Sequence, residues 1–497
     1  MLGVVEHEKP ESYPDLRFLC CLLLIFRHSF ILPATAVFTT TNEELAMSSI
    51  NRRRFIKRAT SASATFVATT AVVGTRAAPP SETINLAVIG VRGRGSQLAQ
   101  DFAARSDCRV TYLCDVDQSL LADRAAAVNA KQSHVSQTVD DFRRALDDSD
   151  VDAVIVATPD HWHALATVWA AEAGKDVYVE KPISHSPWEG RQMVNAASRY
   201  QRVIQVGTQN RSAPYNMKAR EYIKSGKLGT VHMVKVFNQK HWPNRAAEAD
   251  GATPAALDWD MWCGPAPERP YNPVDHGSWN HFWRYSGGDI INDGVHQLDL
   301  ARYLIGKHYP KSVYSTGGRY ADEGVLETPD TQVAVYQFDD LVMTFELTLY
   351  TPYMLKTDGE LRNSDMIPYW PQNATRIEIY GTKGVMFVGR HGGGWEVYDR
   401  PHSRQPVLVH REYGRFPDPE HQQNFIDCIK TRGEPNAPIE QGHLSTLLCQ
   451  YANVSYRLGG AQLRVDAETE TFVDNDAANG MLKREYRAPW VVPSVEA

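Results

Sequence analysis

Two segments far apart in the chain carry residues able to move a proton and a hydride. Lys181 closes the run Val-Tyr-Val-Glu-Lys-Pro at 177–182, where β-formers end on a carboxylate, an amine and a proline. His296 lies in Gly-Gly-Asp-Ile-Ile-Asn-Asp-Gly-Val-His-Gln-Leu-Asp at 287–299. Oxidising a carbinol by hydride loss needs a base for the hydroxyl proton, and an imidazole has a suitable pKa. A nearby cation stabilises the alkoxide-like oxygen, and burial beside a cofactor lowers an amine's pKa toward proton exchange. At helical spacing Asn292, His296 and Asp299 share a face, with Asp293 beside it. The candidate catalytic set is therefore Lys181, His296 and Asp293, with Asn292, Lys181 and His296 as substrate contacts. Pro182 can take a cis bond, a kink that would aim the amine in one direction. Each segment alone also reads as plain structure: a surface lysine at a strand end, and a helix start capped by Asp293 with His296 packed behind it.

The elements that must position these groups alternate. Apolar strand-like runs at Ile84–Ile89, Arg109–Leu113, Asp152–Ala157, Val177–Glu180 and Val203–Val206 are separated by helical patterns. This predicts βαβ units and a parallel sheet covered by helices on both faces. A strand that stops on charged residues presents them at the sheet's carboxyl edge, where ligands bind in open α/β folds. The first run ends in Gly90-Val91-Arg92-Gly93-Arg94-Gly95 and opens a helix, the context a dinucleotide-binding turn requires. Asp115 ends the second run, twenty residues after Gly95, and can bind both ribose hydroxyls while repelling a 2′-phosphate. NAD is thus favoured over NADP, although Arg92 or Arg94 could meet a phosphate. Thr158, Pro159, His161 and His163 follow the third run, near the expected nicotinamide half; each histidine alone also reads as a helix N-terminal residue without chemistry. Glu180, Lys181 and Gln209 complete the expected cofactor-binding set.

After about residue 210 the pattern changes to serial strands, among them Val231–Phe237, Gln332–Phe338, Val342–Leu349, Arg376–Tyr380 and Val385–Val388. These predict a second α/β domain built on a large, mostly antiparallel open sheet. A chain of 497 residues has room for two or three domains. Its net charge of −7 gives no reason to expect nucleic acid or an anionic membrane as partner. Arg52 and Arg53 begin a twin-arginine pattern, followed by a weakly apolar stretch from Ala59 to Gly74 and by Ala77-Ala78-Pro79. The expected division is a mis-called extension at 1–46, an export signal at 47–80, a Rossmann domain at 81–208 and a substrate and oligomerisation domain at 209–497. The apolar run from Phe18 is broken by Arg27 and His28, so no membrane span is expected in the mature protein. Cys20 and Cys21 precede the signal; Cys108, Cys114, Cys263, Cys428 and Cys449 are scattered without a CxxC, which suggests neither a disulfide framework nor a zinc site.

Taken together, the glycine turn, Asp115, Glu180-Lys181-Pro182, the 287–299 segment and the export signal resemble the Gfo/Idh/MocA oxidoreductases, in particular an exported bacterial branch. The resemblance runs from about Ile84 into the C-terminal helices and implies a Rossmann domain, an α/β domain whose sheet often mediates homo-oligomers, bound NAD or NADP, and a sugar, polyol or glycoside substrate. It implies that Lys181 is the lysine of the family's Glu-Lys-Pro motif, often with a cis bond before the proline, and that His296 is its catalytic histidine. One departure stands out: many members carry an aspartate four residues before that histidine, where this chain has Asn292 and displaces the carboxylate to Asp293. A one-residue shift turns a helical side chain by roughly 100°.

Residues 242–285 are dense in aromatics, including Trp242, Trp259, Trp262, Tyr271, Trp279, Trp283 and Tyr285, with Lys240 and several histidines interleaved. Sugar rings stack on such faces, so a carbohydrate cleft is expected, with Trp242 and Tyr285 as contacts; each tryptophan alone could instead anchor the loop. Export to the periplasm would remove any exchangeable nicotinamide pool, so the cofactor should stay bound and be restored within each cycle. An oxidoreductase that couples two substrates meets this condition. So does a redox-neutral glycosidase or lyase, although the Tyr-Pro-Thr-His-Gly-like segment of one such branch is absent. Non-catalytic ligand binding is the third reading.

Overall fold

The computed structural model describes residues 82–496 except 243, 244, 322, 357, 358 and 400–403. The twin-arginine segment, the extension at 1–46, Cys20 and Cys21 lie outside the described residues.

The chain opens with β1 (Ile84–Ile89), α1 (Gly93–Ala103), β2 (Cys108–Cys114), α2 (Gln118–Asn129), β3 (Gln137–Val139), α3 (Arg143–Asp147), β4 (Ala153–Val156), α4 (Asp160–Glu172), β5 (Asp176–Val179), α5 (Pro187–Arg199) and β6 (Ile204–Val206). Among the described residues these strands form one sheet in the order β3-β2-β1-β4-β5-β6, and every pair is parallel. β4 and β5 are wholly buried, as strands covered by helices on both faces must be. The strand order reverses between β1 and β4, and a ligand crevice opens at that switch point. This is the Rossmann fold that the alternation predicts. The short β3 and α3 carry too few apolar residues to be anticipated.

α6 (Pro214–Lys224) leads into β7 (Val231–Gln239); the short helices α7 (Trp259–Cys263) and α8 (Pro273–Gly277) follow within the aromatic segment. A π-helical turn (Ile290–Gly294) runs directly into α9 (Val295–Ile305). The remaining elements are β8 (Ser312–Gly318), β9 (Thr331–Gln337), β10 (Val342–Thr348), α10 (Gly359–Arg362), β11 (Arg376–Gly381), β12 (Gly384–Gly389), β13 (Trp395–Asp399), β14 (Val407–Glu412), α11 (Asp418–Thr431), α12 (Ile439–Arg457), β15 (Leu463–Asp466) and β16 (Thr471–Phe472). The second sheet has the order β14-β13-β12-β11-β7-β10-β9-β8-β15-β16, with β7 and β10 its parallel pair. Alternate residues such as Val234, Val236, Met343, Phe345, Ile377 and Ile379 pack inward, where Leu298 and Leu300 of α9 and Leu447 and Leu448 of α12 meet them. The opposite face leaves Tyr314, Val333 and Val342 exposed.

The two sheets share covering elements. Phe425, Ile426 and Ile429 of α11 complete the core beneath β1 and β2, and Trp490, Val492 and Val495 fill the other side of the parallel sheet. The carboxyl edge of the first sheet is thereby fixed against the second domain, and the site lies between them.

Candidate active site

Why glycine occupies the first turn is steric. Gly90 has φ +82°, and a Cβ there would lie 2.8 Å from the Ala157 carbonyl oxygen. A Cβ on Gly95 would sit 1.8 Å from the Gly90 carbonyl oxygen, so the turn and α1 close up only without it. Gly93 faces open space. The turn borders a cavity of about 440 Å³ that runs past Asp115, Thr158, Pro159 and Glu180 to Lys181 and Asn292. Asp115 Oδ2 accepts from the Val91 amide (2.8 Å) and Oδ1 from the Asp117 amide (3.0 Å), while burial pushes the carboxyl up. The Thr158 hydroxyl oxygen is buried without a partner. A glycine cradle at a helix start, a carboxylate at the end of β2 and an unpaired hydroxyl between them fit a dinucleotide.

The far wall of this cavity comes from the aromatic segment. Gln118 N donates to Ala256 O (2.8 Å), Asp258 N donates to Val116 O (3.0 Å), and Asp117 bridges Leu257. Residues 254–279 therefore strap across the crevice just beyond Asp115, and Met261, Trp262, His276 and Trp279 line it. Trp259 and Trp262 stack at 4.5 Å, anchored on Phe282 and Tyr285. The expectation of Tyr285 as a substrate contact is corrected: it is fully buried between His161 (5.1 Å) and Trp262 (4.9 Å). Trp242 stands apart, against His281 and 5.5 Å beneath the Lys240 ammonium.

Several cofactor candidates also move. His161 is buried, hydrogen-bonds the Trp262 carbonyl (2.9 Å) and is absent from the cavity wall. Residues two apart on a helix face different ways, so His161 and His163 cannot both line one cleft. His163 reaches the wall and ties the Thr158 carbonyl (2.8 Å) to that of Pro182 (2.5 Å). Arg94 is committed to Glu180 (3.0 Å) and Asp418 (2.7 Å) rather than free for a phosphate. Burial opposes its charge, but Glu180, Tyr178 and Asp418 raise its pKa. Gln209 lies behind it, accepting from Arg94 Nη2 (2.8 Å) and donating to Gly207 O (3.0 Å), and does not reach the cavity. Arg92 stays half exposed beside Asp117 (3.3 Å).

Lys181 and the 290–296 segment meet as expected. The Lys181–Pro182 peptide is cis. Lys181 Nζ donates to the Asn292 carbonyl (2.5 Å), with Asn292 Oδ1 at 3.4 Å. Burial pushes the ammonium down, opposed by Glu180, Asp293 and Asp160. His296 is buried with Nδ1 unpartnered, and burial, then Arg390 and Lys181, hold it well below the ordinary imidazole value. Burial keeps His296 neutral, the form able to accept a hydroxyl proton, though as a weaker base than a free imidazole, and the adjacent amine can stabilise the oxygen left behind.

Asp293 does not join them as a base. It is gripped by Lys240 (3.0 Å), Lys356 (3.2 Å) and Arg390 (3.5 Å). Burial would raise its carboxyl, but Lys240, Arg390, Lys356 and His391 overrule it and hold the carboxyl well below the usual range. The assignment of Asp293 to proton transfer is corrected accordingly: a carboxylate that stays ionised beside three cations is a poor acceptor. Asp299 is likewise structural, paired with Arg211 (2.8 Å) and Ser445 (2.6 Å). Asp299 keeps regular spacing to His296 within α9; the π-helical turn before it alters the spacing of Asn292 and Asp293 to His296 instead. Asp160, which sequence reasoning did not single out, lies on the cavity wall, accepts from the Ser286 hydroxyl, and is pushed by burial to about 6, against His163, Ser286 and Lys181.

Two family models match this chain: the oxidoreductase family's NAD-binding Rossmann fold over residues 84–208 and its C-terminal alpha/beta domain over 220–457. The chain belongs to the Gfo/Idh/MocA oxidoreductase family. It is an NAD(P)-dependent dehydrogenase by that membership. Myo-inositol 2-dehydrogenase of Thermotoga maritima is 22% identical over 368 residues, covering 73% of this chain and 94% of that one. Levoglucosan dehydrogenase of Pseudarthrobacter phenanthrenivorans is 28% identical over 52% of this chain and 60% of its own length. A glycosyl hydrolase family 109 protein of a Shewanella strain is 28% identical over 48% and 51%. Among solved structures, levoglucosan dehydrogenase in complex with NADH aligns with TM-score 0.59 at 18% identity, over 77% of this chain and 99% of that one. The Gfo/Idh/MocA fold is thus shared with proteins whose sequences have diverged widely.

Proposed function

We propose that this Gfo/Idh/MocA protein oxidises a carbinol carbon of a carbohydrate or polyol, with NAD as its resident cofactor. The observation that carries the reading is the contact of Lys181 Nζ with the Asn292 carbonyl, which joins the end of β5 to the segment bearing His296 at the end of the dinucleotide cavity. The relatives named for inositol and levoglucosan support the substrate class. The carboxylate of Asp115 supports NAD over its 2′-phosphorylated form.

The glycine turn, Asp115 and Thr158 would hold the dinucleotide, and the nicotinamide supplies the hydride acceptor when bound. His296 accepts the substrate hydroxyl proton, Lys181 holds the oxygen, and Asn292 positions Lys181 through its backbone carbonyl. The strap at 254–279 excludes water and hinders nucleotide exit. That supports a cofactor retained through turnover, as an enzyme exported by the twin-arginine route to the periplasm would require. Self-association through the exposed face of the second sheet belongs to the same proposal.

The test is the absorbance of the purified protein mixed with candidate sugars and polyols and no added cofactor. Growth of the reduced-nicotinamide band supports the reading. Protein that carries nicotinamide yet shows no such band with any sugar or polyol overturns it. Release of aglycone from glycosides with no net reduction would favour the redox-neutral glycosidase or lyase, which the match to a glycosyl hydrolase family 109 protein supports.

A further inference from the structure

We propose that the substrate is an acidic sugar, and that Lys356 and Arg390 receive its carboxylate. The inference rests on the functional reading above and narrows its substrate class. Around the Lys181 and His296 pair the structure gathers Lys181, Lys240, Lys356 and Arg390, and among the described residues Asp289 and Asp293 form ion pairs with Lys240, Lys356 and Arg390. Lys240 is satisfied by both carboxylates, at 2.9 Å from Asp289 and 3.0 Å from Asp293. Lys356 and Arg390 must share what remains of Asp293. The neighbouring charges do not close the gap. Glu180 is bound to Arg94, and Asp418 is shared between Arg94 and Arg362. Asp160, raised by burial to about 6, is mostly ionised at neutral pH, and counting it against Lys181, Lys240, Lys356 and Arg390 with Asp289 and Asp293 still leaves one positive charge over.

Buried groups around Asp293 report the same positive field. His296 and His391 are both held well below the imidazole range, first by burial and then by Arg390. Arg390 itself is pushed down to about 10, burial outweighing the help of Asp293. Its Nη2 stands a long 3.5 Å from Asp293, and its Nε has no acceptor. A guanidinium with one edge unfilled suits a planar carboxylate. Lys356 keeps nearly half of its side chain exposed, so it can be reached from solvent. A neutral sugar brings nothing to offset the surplus charge. A uronate does, and its carboxylate can reach the half-exposed Lys356 from solvent.

The experiment measures binding apart from redox chemistry. Calorimetric titration of the purified protein, carrying its nicotinamide, compares glucuronate and galacturonate with glucose and galactose. The uronates are expected to bind at least about tenfold tighter, an advantage that shrinks with added salt because it is electrostatic. Lys356→Glu should erase or invert the ratio of uronate to hexose affinity, and thermal melting of the variant checks that it folds. Equal affinities, or a uronate preference untouched by salt and by Lys356→Glu, overturn the inference whatever the redox result. Reduction of the bound nicotinamide is followed in parallel. Turnover of neutral sugars without uronate preference leaves the functional reading standing and removes this one. Tight uronate binding with no reduction by any sugar removes the functional reading instead.

Discussion

The ammonium of Lys181 lies 2.5 Å from the backbone carbonyl of Asn292, so the end of a Rossmann strand is hydrogen-bonded to a π-helical turn of the other domain. A backbone oxygen cannot be changed by substitution at 292. The lysine is therefore held in place even where the family's usual aspartate is missing.

Lys181→Met keeps much of the side-chain volume and removes the cation. Loss of this group is expected to slow reduction of bound nicotinamide by about 10²–10⁴-fold. Single-turnover absorbance reads the rate, and nicotinamide content of the purified variant is the control. A change of less than about threefold would remove Lys181 from the mechanism.

Gly95→Ala places a Cβ 1.8 Å from the Gly90 carbonyl oxygen, and no rotamer can relieve a backbone clash. The start of α1 must move away from β1, which breaks the cradle. The variant should purify without nicotinamide, and equilibrium dialysis should show affinity for NAD lowered at least about tenfold. Unchanged affinity would mean that the cofactor does not rest on this turn.

Trp279→Ala removes an aromatic wall of the cavity contributed by the strap. An aromatic contact of this kind is worth about 1–1.5 kcal/mol, so dissociation of the nucleotide should quicken roughly tenfold. Stopped-flow displacement measures it. An unaltered rate would show that the strap does not hold the cofactor.

Asp160 gives a pH signature of stability. Its carboxyl titrates near 6 in the folded protein and near 3.9 when unfolded, so the folded state holds its proton more tightly. The contribution is complete below the unfolded value and is lost as pH rises toward 6, by about 3 kcal/mol in all. Asp160→Asn should flatten this part of the curve of melting temperature against pH. An unchanged slope between pH 4 and 6 would contradict the assignment.

What could be read from sequence was local. The glycine turn, Asp115 and Lys181 each sit at the end of a buried strand, and a strand end fixes where its side chains point. His296 was legible because its segment is continuous. Ordinary helical spacing misplaces the carboxylate beside it because it does not describe a π-helical turn, and because the partners of Asp293 come from just past the ends of β7 and β12 and from a loop, which only sheet pairing brings together. Lys240 and Arg390 lie far apart in sequence and carry no motif. The aromatic segment suggests a carbohydrate cleft by composition, yet composition cannot say whether a ring faces a sugar, a nucleotide or another ring. Tyr285 turned out to face rings, while Trp262 and Trp279 face the cofactor cavity.

Phe425, Ile426 and Ile429 complete the core under the first two strands, and Trp490, Val492 and Val495 complete the other side. On the ribosome, the nucleotide-binding half is therefore synthesised first and finished last. Its strands can pair early, but its apolar interior stays open until residues 425–495 have emerged. A gene truncated after the first domain would yield a sheet with bare faces, and a nascent chain must be shielded until these residues arrive.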